Sequence, residues 1–501
     1  MDEKIKRFLW AVIAIVILGG LWLTRPIWHW LFMAIYIFPS LWESLIVAVV
    51  VAGVSYVFWR SRKDLEAREK AVGVFVAVLV ISLVILSVFA VMYPQCYLSE
   101  NLRTSKITEL PDIDPSAVRI MPRAVAERYA RDALQYPQFK LGTGDISFLG
   151  KTPHWVYGLI PNPDGVVNFF VLKDKGAVYV DMTTSRKNTK IVEKEMQIGE
   201  GMGITDWYKW ELYNRKYWVD YEDPYFVFFQ GELYIVVPVV SYEYYWRFPT
   251  FYTVPQWQGV ALINSEGDVE FLTPEQAREH PVLKNQKLYP ERLARYYVDS
   301  FRYIHGIINT WFYHKDELQI ADVPGQQNEQ PFLVVTKEGM KWLIACEPFG
   351  KETHGIFRIY LLDAQTGEIQ FYEPPAALIG PVKACNYVRK ANPTVDWNRM
   401  IPVEPIPVIT NKSLYWHVRV IPNDASGIAY TAMVNAETGE VIELKTDESV
   451  KDFLKEEYKA RPEIPETGKN VTAIIIIRED SKEIQRIQLL QNQTIEVIPV
   501  S

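Results

Sequence analysis

The chain has 501 residues, a formal net charge of −7, 23% charged and 14% aromatic residues. The acidic balance excludes a basic nucleic-acid-binding surface, and this apolar and aromatic content excludes a disordered polymer. Three cysteines, Cys96, Cys346 and Cys385, are too few for a disulfide scaffold or a thiolate metal cluster.

The first 95 residues read as a transmembrane region. Apolar runs over 8–24, 41–59 and 72–92 each have the length of a bilayer-spanning helix, and the last carries about twenty residues without a charge. Between the first two, Arg25-Pro26 ends a helix, and Trp28 and Trp30 suit the water-lipid boundary. Residues 27–38 are therefore expected as an interfacial helix. The hydrophobic block continues far past the length of a cleaved signal peptide.

Orientation follows from charge. The loop Arg60 to Lys70 holds five Lys or Arg, and Lys4, Lys6 and Arg7 precede the first run, so both are expected in the cytoplasm. Three spans then place everything after Tyr93 outside it, in a multi-pass protein of the cell membrane. Trp10, Trp22, Trp42 and Trp59 read as interfacial anchors, and Glu43 and His29 as the ionisable groups closest to a polar pathway.

Beyond the membrane block a pattern recurs four times: an aromatic-rich strand, a loop, then a strand turning into another through a glycine. Trp155 to Pro161 leads to Phe169 to Val180. Leu233 to Pro238 leads, through a long aromatic insert, to Val260 to Phe271. Trp342 to Pro348 leads to Ile359 to Ile369, and Trp416 to Pro422 leads to Ala432 to Val441. The turns are assigned to Gly176, Gly267, Gly367 and Gly439, each supplying the positive φ that closes a hairpin. Helices are expected before three of the groups, at 122–134, 290–301 and 379–390, where apolar residues fall at helical spacing after proline or glycine.

The fold class is thus three transmembrane helices followed by α+β, as tandem small domains of a helix packed on antiparallel sheet. The units are expected at 96–200, 201–289, 290–376 and 377–460. A terminal segment at 461–501 holds three short strands, at 471–477, 484–490 and 494–500.

Asp363-Ala364-Gln365-Thr366-Gly367-Glu368-Ile369, echoed in Asn435-Ala436-Glu437-Thr438-Gly439-Glu440-Val441, resembles the PepSY family of small extracytoplasmic domains. The resemblance extends over residues 120–460 and implies protease-inhibitory, regulatory or cell-surface binding modules. It brings no catalytic residues, and the aromatic insert departs from the usual short unit.

Chemistry-bearing motifs are sparse. Histidines stand at 29, 154, 280, 305, 314, 354 and 417 without paired helix-face spacing. His305 and His314 with Asp316 and Glu317 come nearest to a cluster. Gly199-Glu200-Gly201-Met202-Gly203 lacks the Lys-Ser or Lys-Thr of a phosphate loop, and no G-x-S-x-G occurs. Asp220, Glu222 and Asp223 are a pattern open to acid-base work on a glycan, though such a run usually marks a solvated face.

No catalytic residue, cofactor or metal is assigned. Cys346 and Cys385 are a pair that could form a disulfide in an oxidising exterior. The aromatic insert carries the binding expectation: Tyr242, Tyr244, Tyr245, Trp246, Arg247, Phe248, Phe251, Tyr252 and Trp257, residue types that dominate interface hot spots. Packing on neighbouring repeats or on the membrane is the competing use. Trp207 to Trp218 carries rings at helical spacing, expected in core or inter-domain packing.

The expected function is a membrane-anchored extracytoplasmic binding, scaffold or regulatory protein without catalysis, with a protein partner in the membrane or envelope or a cell-wall glycan. Two other classes stand beside it. A subunit of an envelope translocation or surface assembly would show flat apolar patches and open sheet edges, and an envelope hydrolase would show a cleft with convergent acids.

Overall fold

Four N-terminal helices lead into four larger, mainly antiparallel sheets and one two-stranded sheet in the computed structural model, which describes residues 3–61, 65–162, 166–324, 328–350, 355–410 and 412–455. The terminal segment expected at 461–501 lies outside the described residues, as does His354.

Helix α1 (Glu3–Leu23) meets α2 (Arg25–Ile37) at a bend of 86°, where Arg25-Pro26 opens the second helix. Helices α3 (Ser40–Ser61) and α4 (Leu65–Asn101) follow. Stretches Ser40–Val57 and Val72–Asn101 are long and apolar enough to cross a membrane, and the bent pair is a third if it counts as one span.

The last helix does not stop at Met92, where the apolar run ends. It continues to Asn101, carrying Tyr93 and Leu98 into the core between the sheets and burying Cys96. At 37 residues it is roughly 55 Å long, well beyond a bilayer's apolar thickness.

The first sheet joins Phe139–Leu149, Thr152–Pro161, Asp174–Asp181 and Thr189–Met196 in sequence order. The fourth joins Met400–Thr410, Ser413–Pro422, Tyr430–Asn435 and Val441–Leu444 the same way. The third is built on Gly339–Pro348, Arg358–Asp363 and Ile369–Tyr372. Its outer edge is completed by Thr104–Ile107, a parallel strand that the sequence had placed with the first unit. The second centres on a long hairpin, Glu232–Arg247 with Thr250–Ile263.

Helices Arg123–Ala133, Glu291–Ser300 and Pro381–Ala391 precede the first, third and fourth sheets, within two residues of their expected positions. Each is tied to its sheet by the same hydrogen bond. The buried indoles of Trp155, Trp342 and Trp416 donate to the carbonyls of Met121 (3.1 Å), Tyr289 (3.0 Å) and Ile379 (2.6 Å). Every one of those carbonyls stands two residues before its helix begins, so tryptophan is required where a packed ring must also satisfy a buried acceptor.

The backbone just before each helix in turn donates to the carbonyl that directly follows strand Asp174–Asp181, Arg358–Asp363 or Tyr430–Asn435. Met121 donates to Met182, Tyr289 to Ala364 and Ile379 to Ala436, at 3.0, 2.8 and 2.7 Å. That register corrects the first turn. Gly176 is not the partner of Gly367 and Gly439: it sits inside strand Asp174–Asp181 at a bulge, where a Cβ would lie 1.9 Å from the Val192 carbonyl. The equivalent turn begins at Asp181, whose Oδ1 accepts from the Thr183 N–H at 2.8 Å. Asp363 Oδ1 accepts likewise from Gln365 and Thr366 (2.9 Å each), and Asn435 Oδ1 from Glu437 and Thr438 (2.8 and 3.0 Å). Residues 169–171, expected as strand, fall in the short helix Val166–Val171.

Candidate functional site

The aromatic insert is the outer half of the long second-sheet hairpin, and its tip lies against the N-terminal apolar helices. Tyr252 packs edge-on against Tyr93 of α4 (5.6 Å between centroids), Tyr245 lies 4.2 Å from Tyr97, and Phe251 is 5.9 Å from Trp42 of α3. The Glu43 carboxylate accepts from the Phe251 N–H at 2.9 Å and from the Thr250 hydroxyl, and Thr253 donates to the Ile37 carbonyl at 2.7 Å. Tyr244 meets Tyr36, and Arg247 pairs with Glu100 at 3.5 Å. Trp257 is turned inward, donating to the Gly259 carbonyl and packing on Tyr289.

Much of the expected binding set is therefore committed to holding the hairpin on the helices. Trp246 and Phe248 remain well exposed, and Tyr242 faces a cavity. The ring-rich helix Tyr208–Arg215 and its flank also pack on a membrane-side helix: His29 of α2 stacks on Tyr213 at 3.5 Å, and Tyr217 donates to the Arg25 carbonyl.

Where hairpin, α4 and helix Glu291–Ser300 meet, two chambers share Glu222 and Arg292 in their walls. The larger, about 440 Å³, is bounded on the helix side by Ile37, Phe38, Ala90, Val91 and Pro94. Its opposite side holds Asp220, Tyr242, Leu293 and Tyr296. The smaller, about 150 Å³, is polar and lined by Arg123, Thr143, Asp145, Asp223, Lys287 and Glu291.

Lys287 pairs with Asp145 at 2.8 Å, and Arg292 with Asp223 at 2.6 Å. Glu222 and Glu291 have no hydrogen-bonding partner for their carboxylates among the described residues. Burial pushes both up to about 7, opposed for Glu222 by Arg292 and reinforced for Glu291 by Asp145.

Glu222 belongs to the acidic run read from sequence as solvated surface. Strand Asp220–Tyr221 pairs with Val239 and Val240 of the long hairpin; Asp220 and Asp223 stay exposed, as a solvated run would, and Glu222 alone is half-buried, facing both chambers. Glu291 carried no signal beyond its place in the first turn of a helix.

A second buried group of charges lies where the first and fourth sheets meet. Glu404 accepts from Arg119 (2.7 Å), Arg419 (3.0 Å) and the Arg123 N–H (2.8 Å), all deeply buried except the last. Burial and the two guanidinium groups hold the neighbouring His417 well below the ordinary imidazole value, so it stays neutral.

His305 and His314 do not converge on one site. His305 approaches Asp316 at 3.4 Å on the surface, while His314 pairs with the buried Glu317 at 2.6 Å, and Arg302 pairs with the same carboxylate. Among the described residues no group of three His, Cys, Asp or Glu is placed to hold a metal ion. Cys346 lies in the third sheet and Cys385 in helix Pro381–Ala391. Both are buried free thiols, as is Cys96, so the considered disulfide is not formed. Gly199 to Gly203 packs beside Asp174, whose carboxylate accepts from the Glu200 N–H.

Comparison with known protein families, with characterised proteins and with solved structures returns no match.

Proposed function

We propose that this chain is a membrane-anchored extracytoplasmic binding protein, a scaffold or regulator without catalysis, whose recognition site is the two-chambered cavity. One observation carries the reading: a cavity walled on one side by membrane helices and on the other by sheet residues, with two unpartnered carboxyl groups inside it. Five acidic side chains, Asp145, Asp220, Glu222, Asp223 and Glu291, face three basic ones, Arg123, Lys287 and Arg292. A partner offering an apolar segment beside a cationic group complements such a lining.

The recurring tryptophan hydrogen bond and the Asp or Asn turns support the reading of PepSY-like units in tandem, with the second unit the most altered. The basic loop before α4 supports a cytoplasmic N-terminus and extracytoplasmic sheets.

A photoreactive phenylalanine analogue in place of Tyr296, irradiated in native membranes, is expected to attach an envelope protein. That adduct should be lost when Glu222→Arg is added. A glycan adduct would change the partner class, and recovery of the protein alone would sink the binding reading. Protease added to intact cells is expected to remove the region after Tyr93, and full protection would reverse the topology.

A second reading rests on Glu222 and Glu291 facing one cleft: an envelope hydrolase in which they share acid and base roles. Turnover of a cell-wall glycan, abolished by Glu291→Gln with adduct formation retained, would establish it.

A further inference from the structure

The hairpin tip combines two properties that rarely coexist on a soluble surface. Its backbone is pinned to the helices at several points, yet Trp246 and Phe248 project with 61% and 78% of their surface exposed. A loose loop scatters apolar rings through flexibility. Here the Tyr93 hydroxyl donates to the Phe248 carbonyl at 2.7 Å, and the Glu43 carboxylate accepts from the Phe251 N–H three residues later, so the rings are held out by a fixed frame.

The height of that frame is set by its partners. Trp42 and Glu43 lie in the first turn of α3, where the apolar stretch Ser40–Val57 begins, and Tyr93 directly follows the apolar run that ends at Met92. The tip therefore sits at the end of two candidate spans, the level at which a bilayer has its interfacial layer. Side-chain direction agrees with that placement. Arg247, between the two rings in sequence, reaches for Glu100, two turns further from the bilayer along α4 than Tyr93. The neighbouring α2 presents Trp28 and Trp30 outward as well.

We propose that the hairpin tip is a lipid-contacting finger, with Trp246 and Phe248 immersed in the interfacial layer of the leaflet next to the sheets. Lipid contact takes two large exposed rings out of water, which favours the immersed position. It also fixes how the sheet region sits on the bilayer, because the hairpin is continuous with the second sheet. The finger does not rest on the cavity reading and holds for either orientation of the chain.

The helices keep the protein in the membrane whatever the tip does, so the test reads depth rather than partitioning. The full-length Phe248→Cys protein is labelled with an environment-sensitive fluorophore, which the buried native thiols leave selective, and is placed in phosphatidylcholine–phosphatidylglycerol nanodiscs. The expected result is blue-shifted emission, at least twofold quenching by lipids brominated near the headgroup, and little quenching by aqueous iodide. Strong iodide quenching without lipid quenching overturns the proposal, and so does a label indifferent to both. Trp246→Cys gives the same readout if the first variant does not fold.

Discussion

Two groups of charges in this molecule differ in burial and in pairing: Glu404 and its arginines are buried, whereas Glu222 and Glu291 are half-buried. At the junction of the first and fourth sheets, the Glu404 carboxylate receives two guanidinium groups and a backbone N–H, while Nε of Arg119 and of Arg419 and both ring nitrogens of His417 are buried without a hydrogen-bond partner among the described residues. Under the membrane helices, Glu222 and Glu291 receive none and face a cavity. A buried carboxylate that is fully paired fixes how elements dock. One left without partners costs stability while the site is empty, and that cost is recovered when something binds. The contrast separates the part of the molecule that holds its shape from the part available for recognition.

The most damaging way to break the comparison is Glu404→Ala, which leaves Arg119 and Arg419 buried and uncompensated. It is expected to cost about 3–5 kcal/mol, read as the shift in a denaturant midpoint. Arg119 has little room to escape, lying 4.6 Å from the centre of the Trp155 ring. A loss under 1 kcal/mol would mean that the paired group is dispensable.

Lys287→Met strips one pair from the polar chamber and leaves Asp145 partly solvated. A loss of about 1–3 kcal/mol is expected by the same measurement.

The unpartnered carboxyls predict a pH dependence of a particular sign. Both are raised from an ordinary value of 4.5 to about 7, so the folded protein holds their protons more tightly than the unfolded chain. Their contribution is fully favourable below about 4.5 and is lost as pH rises through about 7. Thermal melts between pH 5 and 8 are expected to show a falling midpoint, and Glu222→Gln with Glu291→Gln should flatten it. An unchanged slope would show that neither group is buried in the unliganded protein.

The smallest effect belongs to Arg292→Ala. Its pair with Asp223 is largely exposed, so stability should change by less than about 1 kcal/mol. Partner capture through the cavity, by contrast, should change measurably, because Arg292 lines both chambers.

What could be read from the chain follows from how local each signal is. The long apolar runs and the helices ahead of three sheets depend on composition and spacing alone, and they stand where expected. The turns after Asp363 and Asn435 were legible because side chain, threonine and glycine lie within five residues. The first turn misled: glycine marks a positive φ, and Lys173-Asp174-Lys175-Gly176 offered one in a strand bulge, whereas the turn at Asp181 has no glycine. The continuation of α4 past Met92 was hidden because hydrophobicity ends there while helical backbone does not. Glu291 and Glu222 become neighbours only through pairing and packing between elements distant in sequence, which no window of residues records.

Helix α4 also carries Pro94, which has no N–H to give the Ala90 carbonyl one turn earlier. Both residues line the larger chamber, on either side of the end of the apolar run at Met92. The longest helix among the described residues thus lacks a rung of its hydrogen-bond ladder close to where its apolar run ends, and bending compliance concentrates at such a point. Tilt imposed on the span by membrane thickness or lateral pressure would be taken up beside the chamber and would change its width. A helix long and apolar enough to span a bilayer would in that sense also be a mechanical input to the cavity.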